Sequence, residues 1–228
     1  IKGAKIVTRL PPAYRKAATT WVALVNSAIA ELSPDAPMEL TLRRGGQERQ
    51  VTLKPIPACR SRFELLLGGG MGALSDGVLV QIGSRIVQRY GEASVGVIAH
   101  ELAHNILRHR ARMDAQGIGS GLRAAIGPGV PYYRRTETEA DIVSVYLVVN
   151  AGFDVQPALE VWTAIGRAFG SPLIDRSHPR WQDRVATMET AALAIKADPA
   201  AFHVPPLLVT RDQPVSKDWA AILVRAKP

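Results

Sequence analysis

The sequence predicts an α+β fold that is mostly helical and carries a small β-sheet. Three observations predict it. The chain has 228 residues, 47% of them hydrophobic and 21% charged, which suffices for one sizeable core plus a small appendage. From about Ala93 onward, apolar residues recur at three- and four-residue steps in long Pro-poor stretches. Alternating or β-branched segments are short and fall before Ser84.

Taken in order, Ala17 to Leu32 is an apolar-periodic helix stopped by Ser33-Pro34-Asp35. Met38 to Arg44 and Gln50 to Lys54 alternate as two strands around Gly45-Gly46, a hairpin signal, and Pro55 and Pro57 close this unit. Asp76 to Gly83 is rich in β-branched residues, is bounded by glycines and reads as a strand. Between Ala93 and Arg110, Val95, Ile98, Ala99, Leu102 and Ile106 give a helix one buried face. Gly117 to Pro131 is a glycine-rich loop expected to be mobile, and Arg135 opens the next helix, whose apolar stretch runs from Ile142 to Val149. Gly152 ends that helix. Asp154 can cap another running to Phe169, and Pro179 starts a last one reaching about Lys196. The tail from Asp198 is rich in Pro, with Val215 to Val224 left open between a short helix and a strand. The organisation expected is a segment 1–56, a main domain 57–200 and a tail 201–228.

Chemistry concentrates at His100-Glu101-Leu102-Ala103-His104. Residues at i and i+4 share a helix face, so both imidazoles can turn a ring nitrogen toward one ion, with Glu101 projecting from nearly the same side. Two neutral imidazoles and a carboxylate suit zinc, leaving a fourth position for water whose pKa the metal lowers toward about 7. A chain of this composition contains such a string by chance in roughly 0.5% of cases, so the helical context has to carry the reading. A third ligand is sought in Glu137 and Asp141, which are four apart and face the same way: one can ligate while the other hydrogen-bonds the free ring nitrogen of a ligand histidine. Glu139 points away from that pair and reads as a solvated carboxylate near a helix N-terminus. His109, in a basic run, and His203, before two prolines, read as ordinary residues.

Three blocks in order carry a resemblance: His-Glu-Leu-Ala-His, then Glu137, Ala140 and Asp141 in a Glu-x-x-Ala-Asp pattern, then Ser177-His178-Pro179 with Arg184 beyond. Together they resemble the zinc metallopeptidases related to HtpX, the CaaX prenyl protease and BepA, a gluzincin-type family. The resemblance implies one zinc per chain held by His100, His104 and Glu137. It also implies Glu101 as general base, Asp141 as support for a ligand, and His178 close to the metal, either touching the substrate carbonyl or holding the site closed. Arg184 is expected to anchor its helix to the acidic site residues. Val78, Leu79, Val80 and Gln81 are expected to form the edge on which an extended peptide substrate pairs, the alternative being a buried strand paired on both sides. Where relatives carry a polar Asn-Ala stretch before this strand, this chain has Gly68-Gly69-Gly70-Met71-Gly72-Ala73.

The implied activity is hydrolysis of internal peptide bonds in proteins, in envelope quality control. The rival reading is a binding or scaffold protein whose zinc site is structural or latent. That rival draws on the N-terminal segment, which resembles the C-terminal half of a PDZ domain; a packed remnant is favoured over a sheet completed in a swapped homodimer or an unrelated unit. A net charge of +8 and a pI near 10 favour anionic partners. The basic residues are scattered with few aromatics between them, which argues against nucleic acid and leaves anionic lipid head groups as a peripheral contact. The longest apolar run, around Ile142 to Ala151, is too short for a transmembrane helix. The single Cys59 excludes an intramolecular disulfide. Any leader or lipid anchor lies outside a sequence that starts at Ile1, and a periplasmic or exported placement in a bacterial envelope follows from the resemblance alone.

Overall fold

The computed structural model describes residues 36–54, 61–68, 70–119, 127–170, 176–195 and 202–226. The chain divides into two compact units, Ile1–Cys59 and Arg60–Pro228. In the first, β1 (Met38–Arg44) pairs antiparallel with β2 (Gln47–Leu53) about the Gly45-Gly46 turn, where both glycines have positive φ. The second strand starts three residues before the alternation signal at Gln50, since backbone pairing continues through Gln47 to Arg49 without needing an apolar face. The expected helix Ala17 to Leu32, and with it the helical part of the PDZ resemblance, lies outside the described residues.

The second unit combines a three-stranded sheet with packed helices, an α+β arrangement. Strand β3 (Arg62–Leu66) runs parallel to β5 (Leu79–Gly83), and β4 (Ala73–Ser75) runs antiparallel to β5 on its other side. The turn from β4 to β5 is fixed locally: Asp76 Oδ1 accepts the amides of Val78 and Leu79 at 2.9 and 2.8 Å, and Gly77 takes φ +106°. Gly77 N also donates to Asn105 Oδ1 at 2.8 Å, tying this turn to the helix that bears the histidine motif.

After β5 come α1 (Ser84–Tyr90), α2 (Val95–Ile106), α3 (His109–Ala115), α4 (Val130–Asn150), α5 (Val155–Phe169) and α6 (Trp181–Ile195). The single helix expected over Ala93 to Arg110 is interrupted: Leu107 leaves helical geometry and Arg108 adopts a left-handed φ of 55°, so α3 sets off in a new direction. Helix α4 begins earlier than the sequence suggests, because Pro131 sits in its first turn, where the missing N–H costs nothing. Asp154 caps α5 as expected, accepting from Gln156 N at 3.0 Å. Helix α2 is central, packed on α4, α5 and β4. Gly96 permits its approach to α5, since a Cβ there would lie 2.9 Å from Ala158 Cβ. Apolar side chains of α4, α5 and α6 form one core cluster around Val145, Leu159 and Met188; Val80, Ile82, Ile86 and Val97 form another under the sheet.

The tail resolves into two 3-10 turns, Pro206–Thr210 and Ala220–Ile222, joined by irregular chain rather than a strand. Side chains of the helices hold it. Gln116 exchanges two hydrogen bonds with Val215, Arg112 Nε donates to Gln213 O at 2.7 Å, and Asp183 accepts from Ala226 N at 3.1 Å.

Candidate metal centre

The i, i+4 spacing on α2 places the His100 and His104 rings side by side, their Nε2 atoms 3.2 Å apart. Helix α4 brings Glu137 against both, with Oε2 3.2 Å from His100 Nε2 and Oε1 3.6 Å from His104 Nε2. Among the described residues these three form a group whose ligand atoms all lie within 4.8 Å of one another. The separations fit a metal. Donor atoms arranged tetrahedrally about 2.0–2.1 Å from a zinc ion would stand about 3.3 Å from each other. Two imidazole nitrogens pointed at each other beside a buried carboxylate also suit a shared cation, toward which both lone pairs can turn.

Asp141 and Arg184 stand behind this group. Asp141 Oδ1 lies 3.0 Å from His100 Nδ1, so the carboxylate faces the ring nitrogen turned away from the centre. Arg184, from α6, donates to both Asp141 oxygens at 2.8 and 2.7 Å, approaches Glu137 at 3.8 Å and stacks on Trp162 at 4.5 Å. Burial alone would raise the Asp141 and Glu137 carboxyls. The Arg184 guanidinium and His100 hold Asp141 below the ordinary range, and the imidazoles of His178, His104 and His100 hold Glu137 well below it. For His100, burial opposes the charged ring, but Asp141 and Glu137 overcome it and raise its pKa to about 9; burial leaves His104 well below the ordinary value. Glu101 lines the same cleft, of about 480 Å³, and burial pushes its carboxyl up. His178 stands at the rim, its side chain 42% exposed, with Nε2 3.2 Å from Glu137 and Nδ1 2.9 Å from Ser177 Oγ.

The expected substrate edge requires correction. Leu79, Val80 and Gln81 belong to β5, the central strand, paired to β3 on one side and β4 on the other, while Val78 lies in the turn before it. A strand between two neighbours has no free backbone groups along its length to add a third. The edge strand beside the cleft is β4, whose Ala73, Leu74 and Ser75 all line it.

Two residues read as ordinary from sequence are also built into the centre. Glu139 is not solvated: it is 1% exposed and accepts from Arg112 at 3.0 Å and Arg135 at 2.6 Å. His109 Nε2 lies 3.0 Å from Glu139 Oε2, and His109 Nδ1 lies 2.8 Å from His104 Nδ1. On an unbroken helix His109 would lie about 140° around the axis from His104. The left-handed Arg108 redirects α3 and returns it, and no periodicity in the sequence signals that bend.

Burial would raise the Glu139 carboxyl, but His109, Arg135 and Arg112 bring it down to about 2. A depressed carboxylate stabilises the fold above its unfolded pKa, near 4.5, and that contribution is lost as pH falls from there through 2. The shift corresponds to about 3 kcal/mol. Urea unfolding of metal-free wild type and Glu139→Gln should show wild type the more stable at pH 6, with the gap narrowing steadily as pH falls from 4.5 through 2. A gap independent of pH would mean that the carboxylate's charge contributes nothing.

Fold and site therefore define an α+β protein with a His-His-Glu group, two of its members buried and one half-buried, placed to hold a metal. Over 115 residues the chain is 28% identical to the mitochondrial metalloendopeptidase OMA1 of Schizosaccharomyces pombe, a match covering 41% of this chain and 34% of that protein. The chain thus spans about a third of that relative's length. No family model matches the chain, and no solved structure matches it. The similarity supports a peptidase, and the donor set agrees with a metal-dependent one. No helix among the described residues is long and apolar enough to cross a membrane.

Proposed function

We propose that the protein is a zinc-dependent endopeptidase that hydrolyses internal peptide bonds of protein substrates, with one zinc per chain held by His100, His104 and Glu137. The observation that carries this reading is the convergence of those three side chains, at 3.2 to 3.6 Å, in an open cleft that Glu101 also lines. Zinc bound by them supplies Lewis acidity, which acidifies water and polarises a carbonyl. Glu101, its carboxyl raised by burial, takes the proton of the attacking water and passes it to the leaving amine nitrogen. His178 reaches into the cleft from the rim, where its imidazole can donate to the carbonyl oxygen as charge builds there. Asp141 orients His100, and Arg184 keeps Asp141 ionised. An extended substrate adds along β4, whose three residues line the cleft.

The proposed setting is protein quality control in a bacterial cell envelope, supported by the resemblance to HtpX and BepA. Hydrolysis of an unfolded protein such as reduced casein should stop on adding a chelator and return with about one equivalent of zinc. Zinc binding without cleavage would favour the scaffold reading, in which the metal only stiffens the fold.

A further inference from the structure

We infer that His109 and Glu139 are positioning residues for the metal centre, which set the protonation pattern of His104 so that its Nε2 lone pair faces His100 and Glu137. This rests on the zinc reading above. The argument is one of hydrogen-bond direction. Glu139 lies between the guanidinium groups of Arg112 and Arg135, so it remains a carboxylate and can only accept. His109 Nε2, 3.0 Å from it, must therefore carry a hydrogen. Those two guanidinium groups already exceed the single negative charge of Glu139, so a third cation buried beside them is disfavoured and the His109 ring is neutral, with one N–H. Its Nδ1 is then a bare acceptor.

That bare nitrogen stands 2.8 Å from His104 Nδ1. Two lone pairs would repel at this distance, so His104 Nδ1 carries the hydrogen and its Nε2 is left bare, pointing 3.2 Å from His100 Nε2. Asp141 Oδ1 stands 3.0 Å from the His100 Nδ1, on the side of that ring away from the centre. Each ligand histidine thus has its own buried carboxylate, direct for His100 and through His109 for His104. Arg112 extends the second chain, since its Nε is held by the carbonyl of Gln213 in the C-terminal tail.

The metal-free protein, labelled with 15N, allows a test that does not depend on activity. Two-bond 1H–15N spectra should show His104 with Nδ1 protonated and Nε2 bare. In His109→Leu that pattern should change toward the Nε2–H form, and zinc affinity, measured by competition with a chromophoric chelator, should fall about 10- to 100-fold. His109→Asn, which offers an amide oxygen to His104 Nδ1, should recover most of the affinity. Unchanged His104 signals and unchanged zinc affinity in a folded His109→Leu protein would overturn the inference. So would an Nε2–H form of His104 in the metal-free wild type, a measurement that stands even if the Leu variant does not fold. Wild type that shows the Nδ1–H form but binds no zinc would instead sink the zinc reading.

Discussion

Glu101→Gln should retain zinc at the wild-type stoichiometry while kcat/KM on an unfolded protein substrate falls by about 10²- to 10⁴-fold, the range expected for loss of a positioned general base. The substitution keeps the shape of the side chain and removes its ability to accept a proton. Three features of Glu101 make the effect large: its position between the two motif histidines, its place in the cleft lining, and the burial that raises its carboxyl. Metal content and steady-state rates, measured on the same preparation, separate loss of the base from loss of the metal. A variant that cleaves as fast as the parent would remove Glu101 from the chemistry.

Arg184→Met should be the most damaging change to stability, costing about 3–5 kcal/mol in the metal-free protein. Arg184 makes two hydrogen bonds to Asp141, which is 0% exposed, and stands 3.8 Å from Glu137. Methionine fills much of the space over Trp162 but leaves Asp141 buried without its cation. Urea unfolding of Arg184→Met, Asp141→Asn and the double variant forms a cycle whose coupling term isolates the pair. The double variant should be less destabilised than the sum of the two single changes. Additive effects would show that the pair contributes only packing.

Much of the centre was legible because its signals are local. The four-residue step from His100 to His104, and again from Glu137 to Asp141, needs only a helix to put each pair on one face. The Asp154 cap and the Gly45-Gly46 hairpin turn likewise act over a few residues. What escaped was non-local. The β-branched run at Leu79 to Gly83 identifies a strand, but its pairing with β3 and β4, which removes it as a substrate edge, depends on residues elsewhere in the chain. Glu139 shows the same limit: two residues from Glu137 it points to another side of α4, and whether solvent or two arginines wait there depends on how α3 packs.

Helix periodicity and side-chain chemistry are properties of short segments, so local patterns suffice to give the helix that carries the histidine pair, the residues able to ligate zinc and the carboxylate beside them. Long-range packing is needed for α2 and α4 to bring His100, His104 and Glu137 within ligating distance, for β4 rather than β5 to border the cleft, and for His109 to join His104 to Glu139. These relations are set by one left-handed residue at Arg108 and by burial of charge among distant elements, and both take their energy from packing that no local pattern encodes.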